Sequence, residues 1–153
     1  MAECVSARIQ IGGALAVSAF SLLCGHIAAY ELCTNWGGDR FDASAPLPDG
    51  TLDLYAYDVP NGSFDDLEEF CRDTGLAYWR WSGGSPGAFD PEVVVFTGSG
   101  APERFTASEG EYAVYDWQAI EALGSYEAIV ADVARSRFDP PAFTLTDADP
   151  CGS

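Results

Sequence analysis

The chain contains no lysine. Its seven basic residues are all arginine, set against 24 Asp and Glu and a single histidine, for a formal net charge of −17. Without lysine, a Walker-type phosphate loop and Schiff-base catalysis are both excluded. Paired cysteine motifs are missing as well. Cys4, Cys24, Cys33, Cys71 and Cys151 are odd in number and scattered, with no C-x-x-C, the pattern of free thiols in a reducing compartment. No G-x-G-x-x-G occurs, and neither Gly37-Gly38 nor Gly98-Ser99-Gly100 has phosphate-loop spacing. There is also no internal repeat, low-complexity tract or long linker, so 153 residues predict one domain. A chain of this length buries roughly 70% of its unfolded surface, enough for a core without metal or disulfide staples.

Hydrophobic residues make up 48% of the chain and aromatics 13%, far too apolar for a disordered segment. Ile11 to Tyr30 carries no Asp, Glu, Lys or Arg, which is long enough for a membrane span or a signal peptide. Yet Glu3 stands beside Arg8 where a positive cluster would be needed. Val5, Ala7, Ile9 and Ile11 also alternate with Cys4, Ser6, Arg8 and Gln10, the mark of a half-buried strand. The expectation is therefore a strand over 4–11, a Gly12-Gly13 turn and a buried helix over 14–32, in a cytoplasmic protein without a membrane segment. Export with cleavage near Ala29 is the alternative.

Farther on, Thr51 to Val59 alternates as a strand. Ser63 is placed to cap a helix whose buried stripe is Phe64, Leu67, Phe70 and Cys71, with Gly75 as its stop. Leu76 to Trp81 and Glu92 to Thr97 read as strands, the second buried on both faces. Glu103–Ala107 and Tyr112–Asp116 form a hairpin around residues 108–111. Asp116 caps a helix that Gly124-Ser125 interrupts, with Ser125 capping a second piece that ends at Arg137. Only the first crossover has the length of a parallel β-α-β pair. The pattern predicts an α+β fold: a two-layer α/β sandwich with a mixed, mainly antiparallel sheet and a ferredoxin-like core. It would occupy residues 1–138, followed by a Pro- and Asp-bearing tail over 139–153.

Several motifs fail on context. Gly83-Gly84-Ser85-Pro86-Gly87 matches a nucleophile elbow, but a strand rather than a helix follows it, and the only histidine is His26, upstream. Cys24, His26 and Cys33 lack zinc spacing, and Asp39, Asp42, Asp49 and Asp53 lack the order of a calcium loop. No metal, cofactor or catalytic group is expected. Trp79 and Trp81 share a strand face with Ala77, which reads as core packing rather than a base-stacking platform.

Charge distribution is the one functional lead. Residues 39–75 hold ten acids and two arginines, net −8 of the total −17. The acids are Asp39, Asp42, Asp49, Asp53, Asp58, Asp65, Asp66, Glu68, Glu69 and Asp73. Such a face repels nucleic acid and anionic membranes and attracts a basic protein. The expectation is a non-enzymatic interaction protein, in its sharper form a nucleic-acid mimic or inhibitor of the phage or mobile-element type. The alternatives are a ligand-binding protein or enzyme with a pocket near the glycine-rich loops at 83–87 and 98–100, and a secreted or envelope protein.

Overall fold

The structure, a computed structural model, describes residues 3–146. The alternation that starts at Cys4 does produce a strand, β1 (Cys4–Ala16), but it continues past Ile11. Gly12 and Gly13 are not a turn. At Gly12 a Cβ would stand 1.7 Å from the Pro141 carbonyl oxygen, and Gly13 has a φ of +107°, which glycine alone adopts readily. Here the strand changes partners. Residues up to Gly12 pair with antiparallel neighbours, whereas Gly13–Ala16 pair in parallel with β6 (Phe143–Thr146). The helix expected over 14–32 is shortened accordingly: a single 3-10 turn over Val17–Ala19 leads into α1 (Phe20–Ala29). An Ala-rich run that favours helix locally is held extended by a distant partner strand.

The next strand, β2 (Leu52–Pro60), lies antiparallel beside β1, not parallel as the first crossover suggested. The long connection after α1 carries the chain back and itself bonds to β2, with Cys33 and Tyr55 exchanging backbone N–H···O bonds of 2.8 Å. Then come α2 (Asp65–Thr74), β3 (Ala77–Ser82), β4 (Glu92–Phe96) and β5 (Glu103–Thr106). Gly75 ends α2 in the left-handed conformation, as expected. Ser63, however, does not cap it. The Phe64 N–H donates to Glu68 Oε2, the Asp66 N–H donates to the Tyr30 hydroxyl oxygen, and Ser63 donates to Asp65. Asp116 and Ser125 do cap α3 (Trp117–Leu123) and α4 (Tyr126–Ser136).

The sheet order is β2-β1-β3-β4-β5 with β6 added to β1, and every pairing except β1–β6 is antiparallel. The fold is thus α+β with a mixed, mainly antiparallel sheet. Its element order is not the β-α-β-β-α-β of a ferredoxin-like core. Both faces of the sheet carry buried side chains. Ile9, Ile11, Leu54, Tyr78, Val94 and Phe96 pack on one face with Leu23, Ile27, Leu67 and Cys71 from α1 and α2. Trp79, Trp81, Val93, Val95 and Phe105 form a second core on the other face, with Trp36 and Phe138 against it. Trp79 Nε1 donates to the Ser136 carbonyl at the end of α4, 2.9 Å away. Alternation along β3 turns its two indoles away from α2, and such large side chains require a covering layer of their own.

The segment expected to leave regular structure at Asp139 instead returns to the sheet as β6, where Phe143 is buried. Residues 147–153 of that tail lie outside the described residues. The apolar stretch 11–30 is divided between β1 and α1, with Ile11, Leu15, Leu23 and Ile27 in the core. Cleavage near Ala29 would remove the strand to which β2, β3 and β6 all pair. Among the described residues, no helix is long and apolar enough to cross a membrane.

Candidate interaction surface

Helix α2 presents two faces because Leu67 and Cys71 recur at helical spacing and are buried. Asp65, Asp66, Glu69 and Asp73 fall outside that stripe, and all but the half-buried edge of the helix is open to solvent there. Glu68 is not. It is 5% exposed and turned toward Arg80 of β3, which is fully buried. Arg80 Nε stands 2.9 Å from Glu68 Oε2 but out of line for a hydrogen bond, so that contact is Coulombic. The rest of the guanidinium is satisfied: Nη1 donates to the Gly62 carbonyl and to Ser82 Oγ, and Nη2 to Glu92 Oε2. Arg104 Nη1 in turn donates to both Glu92 oxygens at 3.0 Å.

Two carboxylates and two guanidiniums therefore balance one another beneath a surface cavity of about 340 Å³, also lined by Asn61, Ser63, Asp65, Glu69 and Arg72. Burial pulls the Glu92 pKa upward, but the hydrogen bond and charge of Arg80, with Arg104, outweigh it and hold it below the usual 4.5. Tyr78 lies below the same helix. Its hydroxyl is pushed up to about 12, first by burial and then by the Glu68 charge, although Arg72 donates to it at 3.0 Å.

The acids of the loop and of β2 gather elsewhere. Asp39, Asp42 and Asp53 line a separate hollow of about 460 Å³ with Arg40, Phe41 and Pro48. Asp42 accepts from the Ser44 hydroxyl and backbone N–H, which lowers its pKa. Asp53 accepts from Thr51. Asp49 and Asp58 are exposed and line neither cavity. The ten expected acids are thus an α2 group, a loop group and two outliers, with Glu68 withdrawn into the core.

The arginines decide how much of this charge is neutralised. Arg40 pairs with Glu31, and Arg72 is spent on Tyr78. Arg8, Arg80, Arg104 and Arg135 pair with Glu111, Glu68, Glu92, Glu103 and Asp132. Of the ten carboxylates over 39–75, only Glu68 is in an ion pair within the described residues.

Sequence reasoning missed the open part of the second face. The Arg8 guanidinium lies 4.7 Å from the Trp79 ring and 5.8 Å from the Tyr55 ring and pairs with Glu111. Trp36, from the loop, packs 5.0 Å from Tyr55 and 5.3 Å from Tyr57. Alternation did place Arg8 opposite Ile9; no local pattern could deliver Trp36 to it.

The chemical motifs stay apart. Ser85 bridges Phe89 in a tight turn and its hydroxyl donates to Glu3 at 3.2 Å, while His26 on α1 packs against the Phe70 ring. Cys4, Cys24, Cys33 and Cys71 are free thiols, and burial pushes the Cys71 thiol far up. Among the described residues, no group of three metal-binding side chains converges. Five surface cavities of about 220 to 460 Å³ are lined by residues other than the glycines of 83–87 and 98–100. Comparison with protein-family models, with curated proteins and with solved structures returns no match.

Proposed function

We propose that this α+β domain is a non-enzymatic interaction protein that binds a basic protein surface through the exposed carboxylates of 39–75. Asp65, Asp66, Glu69 and Asp73 on α2 form its most regular part, and Asp39, Asp42, Asp49, Asp53 and Asp58 extend the negative field. One observation carries this reading: nine of these ten acids form no ion pair among the described residues, and of these Glu69 alone feels the charge of Arg72. Unpaired carboxylates repel one another, so a surface that keeps them gains most from a cationic partner. Asp65, Glu69 and Asp73 stand one helical turn apart, about 6 Å along the axis. Charges at that spacing resemble a run of phosphates, which is the basis for the sharper form, an inhibitor that occupies a DNA- or RNA-binding protein. The free thiols support a cytoplasmic setting.

The test is affinity purification from the native host with mass spectrometry, at low and at high salt. It is repeated with a variant carrying Asp65→Asn, Asp66→Asn, Glu69→Gln and Asp73→Asn. A basic protein should be retained at low salt and lost both at high salt and with the variant. Retention that ignores both changes would sink the reading.

A further inference from the structure

Exposed apolar side chains are concentrated in one stretch. Of the nine large hydrophobic residues exposed among the described residues, six lie between 112 and 130: Tyr112, Val114, Trp117, Ile120, Tyr126 and Val130. Single exposed apolar residues are ordinary on a protein surface, but a concentration of them is not. Trp117 and Tyr126 are 66% and 76% exposed.

The element that carries this surface gains little from the fold beneath it. No residue of α3 is buried, and of α4 only Ser136 is. A helix of seven residues is marginal on its own. Its ends are fixed by the Asp116 cap and by Gly124, and Tyr115 ties the segment to α4 through a 2.7 Å bond to Asp132. What α3 displays outward is a tryptophan and an isoleucine one turn apart. Aromatic anchors on a short ordered element are the usual centre of a protein–protein contact.

The surrounding charge says what fits there. From residue 105 to 134 the chain has six acids (Glu109, Glu111, Asp116, Glu121, Glu127 and Asp132) and no arginine. Glu111 and Asp132 are taken by Arg8 and Arg135, and Glu121 and Glu127 have no cation among the described residues. A second copy of a chain with net charge −17 would bring like charge against this rim.

We propose that the 112–130 surface is a docking site for a protein partner that presents an apolar hollow or stripe rimmed by lysine or arginine. The inference rests on the proposed function only for the sign of the partner's charge; the surface, its anchors and its test are separate from α2.

The probe is an amphipathic leucine–lysine helical peptide, titrated into the full chain by calorimetry and followed by amide hydrogen exchange. Two controls replace its lysines with glutamate or its leucines with serine. Only the leucine–lysine helix should protect amides over 112–130. A Trp117→Ser, Tyr126→Ser variant should weaken its binding about tenfold or more. Both positions are exposed, and circular dichroism checks that the variant melts as the parent does. The four-site α2 variant should keep protection over 112–130 even if overall affinity falls, which separates failure here from failure of the α2 reading. Binding unchanged by the double variant, or equal binding of the serine control, would overturn the proposal. So would a self-associated chain that the double variant makes monomeric, because the occupant would then be a second copy.

Discussion

Arg80 and Glu68 sit where neither would be stable alone. A buried ion pair gains little over an apolar substitute, but removing one member strands the other charge in the core. Glu68→Ala should therefore lower stability by about 3 kcal/mol, read as a fall in the urea midpoint at unchanged slope. The neighbour Glu69→Gln, on the outer face, should shift it by less than about 0.5 kcal/mol. Glu92 gives the pH dependence. Its folded pKa lies below the unfolded value of 4.5, so its contribution is present above that value and is lost as pH falls through the folded pKa. Glu92→Gln should flatten the acid limb of a stability-versus-pH curve below about pH 4.5 and leave the neutral region sloped as before. The pairing itself could be read in part from the sequence. Glu68 lies four residues after Phe64 and three before Cys71, on the apolar side of α2, and Arg80 shares the Tyr78 side of β3. Their partnership required the two elements to be stacked, and four adjacent acids in α2 hid which one pointed inward.

Glycine shows the same contrast between chemistry and place. A Cβ added to Gly25, within α1, would meet nothing inside 4 Å, whereas one at Gly12 would meet the Pro141 carbonyl. Gly25→Ala should raise the melting temperature, gaining about 0.5–1 kcal/mol from helix propensity. Gly12→Ala should lower it, by forcing Pro141 and the strand after it away from β1.

At the scale of elements, those with a strong pattern of their own came out of the sequence where expected: α2, β2, β3 and β4. The end of β1 and the whole of β6 did not. Gly13–Ala16 and Phe143–Thr146 are extended because they pair with each other, and that register is invisible in either segment alone. Phe143 closes the helix-covered core at this junction and packs 6.4 Å from the Phe20 ring. Phe143→Ala should cost about 3–5 kcal/mol by thermal or urea unfolding, as for other buried aromatics. Thr144→Ala on the same strand is exposed and should cost far less. The cover over the second face of the sheet was hidden for a related reason. The covering of Trp79 and Trp81 comes from Trp36, Phe138 and the end of α4, pieces scattered along the chain.

For the whole molecule, the governing quantity is uncompensated charge. A net −17 on 153 residues stores repulsion that counter-ions relieve. Adding sodium chloride from low to physiological ionic strength should raise the melting temperature, and the four-site α2 variant should gain less from the same salt. The total charge was legible at once, and so was its bias toward 39–75. Its arrangement was not, because the backbone fold decides which acids meet an arginine, which line a hollow and which enter the core. The apolar surface over 112–130 escaped notice for the opposite reason: Trp117, Ile120, Tyr126 and Val130 have the spacing of an ordinary buried stripe, and only the fold leaves them uncovered.

The partner exchange at Gly12 and Gly13 also sets the order of events during synthesis. β1 leaves the ribosome before any strand it pairs with, and its last stretch waits for β6, at the opposite end of the described chain. Sheets closed by such distant pairings form slowly. The nascent chain therefore carries Gly13–Ala16 without a mate until Thr146 has emerged, although the earlier part of β1 can already pair with β2 and β3.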